Sequence, residues 1–150
     1  MEIRQIKENK KQFMDLLLLA DEQEDMIDRY LEKGEMFVLF DPEAVGECVV
    51  VDLGNGQFEI KNIATSPNAH GKGYGRKLID FVLDHYKDRC ELMLVGTGDS
   101  PLTVPFYKKC GFVEHHRLKN FFTDNYDHPI FEEGIQLVDM VYLAQSPKKD

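Results

Sequence analysis

Apolar positions along this chain recur with two periods, and the switches between the periods mark its elements. Residues 2–6, EIRQI, alternate as a strand does. From Lys10 to Ala20 the spacing turns helical, with Phe13, Leu16, Leu17 and Ala20 on one face. A second helix is predicted from Asp21 to about Lys33, where Met26, Ile27, Tyr30 and Leu31 repeat that spacing; Asp21 with Glu24 reads as a capping-box start and Gly34 as the stop. EMFVLFD (35–41) and AVGECVVVDL (44–53) are strands separated by the turn residues Asp41 and Pro42, and GNG (54–56) turns into a third, QFEIKNIAT (57–65), giving an antiparallel meander. Strict alternation in the last of these puts Phe58 and Ile60 on one face and Ile63 on the other. One extra residue near Lys61 or Asn62 restores the pattern, which predicts a β-bulge there; a strand buried on both faces is the alternative.

Further on, Leu78, Ile79, Val82, Leu83 and Tyr86 predict a helix, and CELMLVGT (90–97) a buried strand. A short helix ends in FYKKCGF, with Thr103 as its expected cap, Pro105 tolerable only close to its start, and Gly111 as its stop. Two more strands, FVEHHRLKNFF (112–122) and GIQLVDMVYLA (134–144), flank an irregular stretch rich in turn formers. The expected fold class is α+β, with a mixed sheet.

Composition narrows the class of molecule. The 150 residues contain no repeat or linker and are read as one domain, 1–150; a chain that is 43% hydrophobic and 11% aromatic suffices for a folded core. Leu16 to Ala20, the longest apolar run near the start, is too short for a membrane span or a signal peptide, so a soluble, cytoplasmic protein with no membrane partner is expected. Cys48, Cys90 and Cys110 form neither a disulfide framework nor a zinc motif, and His115 and His116, adjacent in a strand, cannot both face one metal; no metal is expected. A net charge of −9 argues against nucleic acid. That charge is concentrated: residues 21–35 hold seven acids against Arg29 and Lys33, and residues 123–139 hold five acids and no Lys or Arg. Either segment alone reads as a solvated face.

The chemistry is concentrated where the third meander strand gives way to a helix. Gly71, Gly73 and Gly75 alternate there beside Lys72, Arg76 and Lys77. Bare backbone at a helix start offers unpaired N–H groups and the positive end of the helix dipole, which suits a phosphate or pyrophosphate. The spacing fits neither the P-loop nor the dinucleotide pattern, and the meander suggests no βαβ unit to carry the latter.

Ile63-Ala64-Thr65, then His70-Gly-Lys-Gly-Tyr-Gly75 and an amphipathic helix, resemble the acetyl-CoA motif of the GNAT superfamily of N-acetyltransferases, Gln/Arg-x-x-Gly-x-Gly/Ala. PFYKKCGF (105–112), about thirty residues on, resembles that superfamily's second signature, Phe-Tyr-x-Lys-x-Gly-Phe. The resemblance extends to the order of elements across nearly the whole chain. It implies a mostly antiparallel sheet of about seven strands flanked by about four helices and splayed between strands four and five. It also implies acetyl-CoA as co-substrate, its pyrophosphate on the backbone of His70, Gly71, Lys72, Gly73, Tyr74, Gly75 and Arg76, and its pantetheine arm along Ile63, Ala64 and Thr65, with the Ile63 N–H on the thioester carbonyl. By the same resemblance Tyr107 is the acid that protonates the departing thiolate. Glu59 matches the position of a base, with a solvated strand carboxylate as the other reading. Ser100 stands where many members have an Asn that touches the pantetheine, and His70 stands where Gln or Arg is usual.

In this fold the two acidic segments flank the acceptor channel, so the resemblance implies a small-molecule or peptidyl amine acceptor of cationic character, such as a polyamine, an aminoglycoside or a lysine-containing peptide. Phe121, Phe122, Tyr126 and Phe131 are candidates to line that channel. A homodimer stays open. Direct transfer in a ternary complex is expected, because none of the three cysteines has a His partner in view. The competing readings are a non-catalytic acyl-CoA-binding regulatory protein, which would keep the loop without turnover, and an acidic interaction module, which would bind no CoA.

Overall fold

Alternation of apolar residues on both faces of the central strands dictates a sheet covered on two sides. The computed structural model describes residues 1–147. In order they form β1 (Glu2–Ile6), a 3-10 turn (Lys10–Phe13) running into α1 (Met14–Ala20), α2 (Glu24–Asp28), β2 (Glu35–Phe40), β3 (Ala44–Gly54) and β4 (Gln57–Thr65). There follow α3 (Tyr74–Tyr86), β5 (Leu92–Gly98), α4 (Thr103–Lys109), β6 (Val113–Leu118), α5 (Phe121–Asn125), β7 (Phe131–Glu132), β8 (Ile135–Gln136) and β9 (Met140–Gln145). Seven strands make one sheet in the order β1-β2-β3-β4-β5-β9-β6, and β7 and β8 form a separate hairpin. Every neighbouring pair in the large sheet is antiparallel except β4–β5.

The two faces are read directly from period two. Phe37, Leu39, Cys48, Val50, Phe58 and Ile60 face α3 and α4, packing on Leu78, Ile79, Val82, Tyr86, Tyr107 and Phe112. The alternate residues Met36, Val38, Val49 and Val51 face α1 and α2, against Leu17, Ile27, Tyr30 and Leu31. Phe122, Ile130 and Leu137 form a smaller cluster under α5 and the hairpin.

The bulge falls at Lys61: Ile60 pairs with Val50 and Asn62 with Val49, leaving Lys61 without a partner on β3. Its consequence is on the other edge. Parallel pairing with β5 runs from Gln57↔Leu92 to Ile60↔Val95 and stops, so β4 and β5 separate beyond the bulge.

Several sequence expectations are corrected. A helix from Asp21 to Lys33 is too long; α2 has five residues, and turns carry the chain to Gly34. The reason is tertiary: Lys10 is buried and its Nζ donates to the carbonyls of Leu31, Glu32 and Gly34 at 3.0, 3.2 and 2.7 Å, satisfying groups that a continuing helix would have used internally. No Asp21–Glu24 box forms, because Gln23 is the N-cap and makes no side-chain capping bond. Leu102 rather than Thr103 caps α4; Pro105 is its third residue, where a missing N–H costs nothing. The strand expected through 122 ends at Leu118, with α5 following, which makes five helices rather than four, and residues 134–144 divide into β8 and β9. β4-α3-β5 is a βαβ unit, which the meander had concealed.

Candidate functional site

The separation of β4 from β5 opens beside three pieces of backbone and side chain that the sequence singled out. Ser66 N–H donates to Val45 O at 2.8 Å, toward β3. Since strand backbone groups alternate in direction, Ile63 and Thr65 present theirs to the gap. The chain then passes a short 3-10 turn (Pro67–Ala69) and enters α3 through the glycine loop.

Gly71 and Gly73 have φ of 84° and 78°, a region that side-chain-bearing residues rarely adopt, and a Cβ at either would meet only open space. Those glycines are therefore not demanded by packing. The first α3 N–H with an internal partner is that of Lys77, on Gly73 O at 3.1 Å; among the described residues the N–H groups of Gly71 to Arg76 find no backbone carbonyl. His70 differs from them: its N–H donates to Pro67 O at 3.4 Å, and its ring Nε2 lies 3.3 Å from Thr65 O. A pyrophosphate fits this array, in geometry and in sign of charge.

The flanking side chains hold the loop in place. Tyr74 donates its hydroxyl to Asp41 in the β2–β3 turn, a bond that lowers the Asp41 carboxyl below its ordinary value. Arg76 reaches Asp80 (3.4 Å) and the Lys109 carbonyl at the end of α4 (3.1 Å), while Lys72 is exposed. Gly75 has a packing reason: a Cβ there would sit 3.2 Å from Phe106 Cζ, so its absence lets the first turn of α3 meet α4. The two sequence motifs touch at this contact.

Tyr107 follows Phe106 on α4, 7% exposed. Burial, and then Cys48, Cys110, Glu132 and Glu47, push its phenol well above the ordinary tyrosine value, so it carries its proton throughout the physiological range. Ser100 is buried and its Oγ accepts from Leu102 N–H at 3.1 Å; on β7, burial raises the Glu132 carboxyl above its ordinary value, an effect that Ser100 partly offsets. Glu59 lies on the face opposite α3, with Lys61 Nζ paired to its carboxylate at 3.4 Å.

On that same face the acidic segments meet. Tyr126, beyond α5, donates to one oxygen of Asp21 at 2.7 Å, and Tyr30, beyond α2, donates to the other at 3.1 Å. Burial outweighs these bonds and raises the Asp21 carboxyl above its ordinary value. Asn62 Nδ2 in turn donates to Tyr30 Oη at 3.0 Å and to Leu17 O at 3.1 Å. Phe122 stacks on Tyr126 and Phe121 meets Phe122 edge-on, whereas Phe131 is exposed.

Sequence reasoning missed Asp41, Asn62 and Glu47 as members of this region. For Glu47 a signal existed: a lone carboxylate within GECVVV sits in register with the inward-facing Val49 and Val51. Among the described residues no cluster of three potential metal ligands occurs, and no helix is long and apolar enough to cross a membrane.

Comparison with known proteins agrees with this arrangement. Residues 32–114 match the family model for the acetyltransferase (GNAT) domain. Over 140 residues the chain is 37% identical to an uncharacterized N-acetyltransferase of Bacillus subtilis, YvbK, covering 91% of this chain and 90% of that one. It superposes with a TM-score of 0.91 on a GNAT family acetyltransferase from Elizabethkingia anophelis with acetyl-CoA bound, at 34% identity and 97% coverage of each chain. A Bacillus subtilis acetyltransferase in complex with CoA gives a TM-score of 0.88 at 35% identity, again with 97% of each chain covered.

Proposed function

This chain belongs to the GNAT superfamily and is an acetyltransferase with acetyl-CoA as co-substrate, and on that premise we propose that it acetylates a primary amine of a cationic acceptor by direct attack in a ternary complex. The observation that carries the reading is the row of unpaired N–H groups from Gly71 to Arg76, which follows β4 where its pairing with β5 has stopped. In this reading the row binds pyrophosphate, the gap-facing backbone of Ile63 and Thr65, with Ala64 between them, aligns the pantetheine arm, and Ser100 closes its far side. Ile63 N–H donates to the thioester carbonyl oxygen as negative charge develops there. Tyr107 gives its phenolic proton to the departing thiolate. The acidic segments, each −5 by composition, draw the cation to the opposite face, where Glu59 helps to wall the acceptor side.

The test is acetyl-CoA-dependent thiol release over a panel of spermidine, kanamycin, a lysine-containing peptide and neutral amines, together with thermal melting. Saturating acetyl-CoA should raise the melting temperature by linkage, and the cationic amines should be the better substrates. Binding without turnover of any amine would favour the regulatory alternative, and an unchanged melting temperature would remove the reading altogether.

A further inference from the structure

Glu47 lies in the middle of β3, opposite Ala64 of β4, and its side chain is 0% exposed. Both of its carboxyl oxygens are buried without a hydrogen-bond partner, and so is Oδ1 of Asn62. Asn62 pairs with Val49, two residues along β3 from Glu47, so the two polar side chains are diagonal neighbours on the face toward α1. They stand at the inner end of a polar path. From Tyr126 and Asp21, where the acidic segments touch, it passes through the Tyr30 hydroxyl to Asn62. It ends in three oxygens without a hydrogen-bond partner, one residue from the backbone of Ile63 that faces the β4–β5 gap.

Resting on the amine-acetylation reading above, we propose that Glu47 and Asn62 Oδ1 receive the acceptor's amino group and that Glu47 takes its proton. Once Glu47 is ionised, its two oxygens and Asn62 Oδ1 are three acceptors without partners, matching the three N–H donors of a primary ammonium. Glu59 is the weaker candidate for this task, because Lys61 already pairs with its carboxylate. The titratable groups that feel Glu47 are Tyr30, Cys48 and Tyr107, and none of them is a cation. Burial, with nothing to offset it, pushes the carboxyl well above the usual range, so the resting side chain holds a proton.

An entering ammonium displaces that proton to solvent and then passes one of its own to Glu47. The neutral amine attacks the thioester carbonyl carbon, forming the C–N bond, and the C–S bond then breaks. The thiolate takes the proton of Tyr107, which recovers one from the nitrogen. Each turnover thus yields one amide, one thiol and one proton, with Glu47 and Tyr107 as they began.

Two measurements on the full chain test this. With CoA bound as a dead-end partner, spermidine or whichever panel amine is turned over best should release about one proton per molecule bound, read by calorimetry in buffers of different ionisation enthalpy. Glu47→Gln, nearly isosteric, should still be stabilised by acetyl-CoA, should release no proton, and should lose roughly 10²–10⁴-fold in kcat, with its rate now rising only as the free amine deprotonates. Folding is checked by stability against pH. A raised carboxyl pKa means that the native state holds a proton the unfolded chain has lost, so wild-type stability falls as pH rises above the unfolded value. Glu47→Gln should accordingly melt higher than wild type at pH 8, with the gap closing toward pH 4.5. Glu47→Met serves the same kinetic comparison with an apolar side chain. No proton release by the wild type, or a Glu47→Gln enzyme with wild-type kcat and pH profile, overturns the inference while leaving amine acetylation intact. A wild type that turns over no amine overturns the parent reading, and this one with it.

Discussion

A phenol buried in the core between sheet and helices is worth most if its proton is used. Tyr107 packs edge-on against Phe106 and Phe112, and its fully buried environment keeps the hydroxyl protonated. Tyr107→Phe preserves the ring and its packing, so acetyl-CoA should still raise the melting temperature. Turnover should fall by roughly 10²–10⁴-fold, the range for a positioned general acid. Thiol release at the wild-type rate from the Phe variant would mean that water protonates the thiolate. Nothing at this scale was beyond sequence reading for Tyr107 itself, whose motif is contiguous. For Glu47 and Asn62 it was, because the property that distinguishes them, an oxygen sealed without a donor, belongs to their surroundings.

One inserted residue and one glycine govern the elements. The bulge at Lys61 turns β4 away from β5, and the left-handed Gly73 at the α3 N-cap turns the following N–H groups outward. Gly73→Val puts a β-branched side chain at φ near 78°, at a cost of about 1–2 kcal/mol. Whether that cost is met by shifting the loop or by straining it, the N–H array is lost. The variant should fold with a modest drop in melting temperature and should no longer be stabilised by acetyl-CoA; retained stabilisation would show that the loop binds through Lys72, Arg76 and Lys77 alone. Gly75→Val is a poorer probe, since its Cβ strikes Phe106 and disturbs the helix that carries Tyr107.

For the molecule as a whole, the relevant quantity is the uneven distribution of a −9 charge. Segments 21–35 and 123–139 are brought together by Asp21 and Tyr126, 105 residues apart in sequence. Their fields add where the two segments meet. Glu133 is exposed, while its neighbour Glu132 is half-buried. Glu133→Lys therefore reports on the field alone, whereas the Glu132/Glu133 double reversal also places a charge in a partly buried position. The single reversal should raise the acceptor's KM and weaken its salt dependence, leaving the KM of acetyl-CoA nearly unchanged, because exposed charges act over about 10 Å at 0.1 M ionic strength. Neither KM moving would mean that these acids only solvate a loop.

Periodicity and local motifs determined much of this protein before any fold was in view. The strands of the meander, the helix after the glycines, the bulge near Lys61 and both family motifs are local features, each encoded within a dozen residues or so. What lay outside the sequence has one physical cause: the deciding partner is distant in the chain. Lys10 ends the second helix by taking the carbonyls of Leu31, Glu32 and Gly34. Gly75 is a glycine because Phe106 lies against it, and β4-α3-β5 is a parallel unit because Leu92 to Val95 pair with Gln57 to Ile60. The chain alone places a carboxylate in the inward register of β3; only the packing around it leaves that carboxylate buried, unpaired and opposite Ala64 of β4.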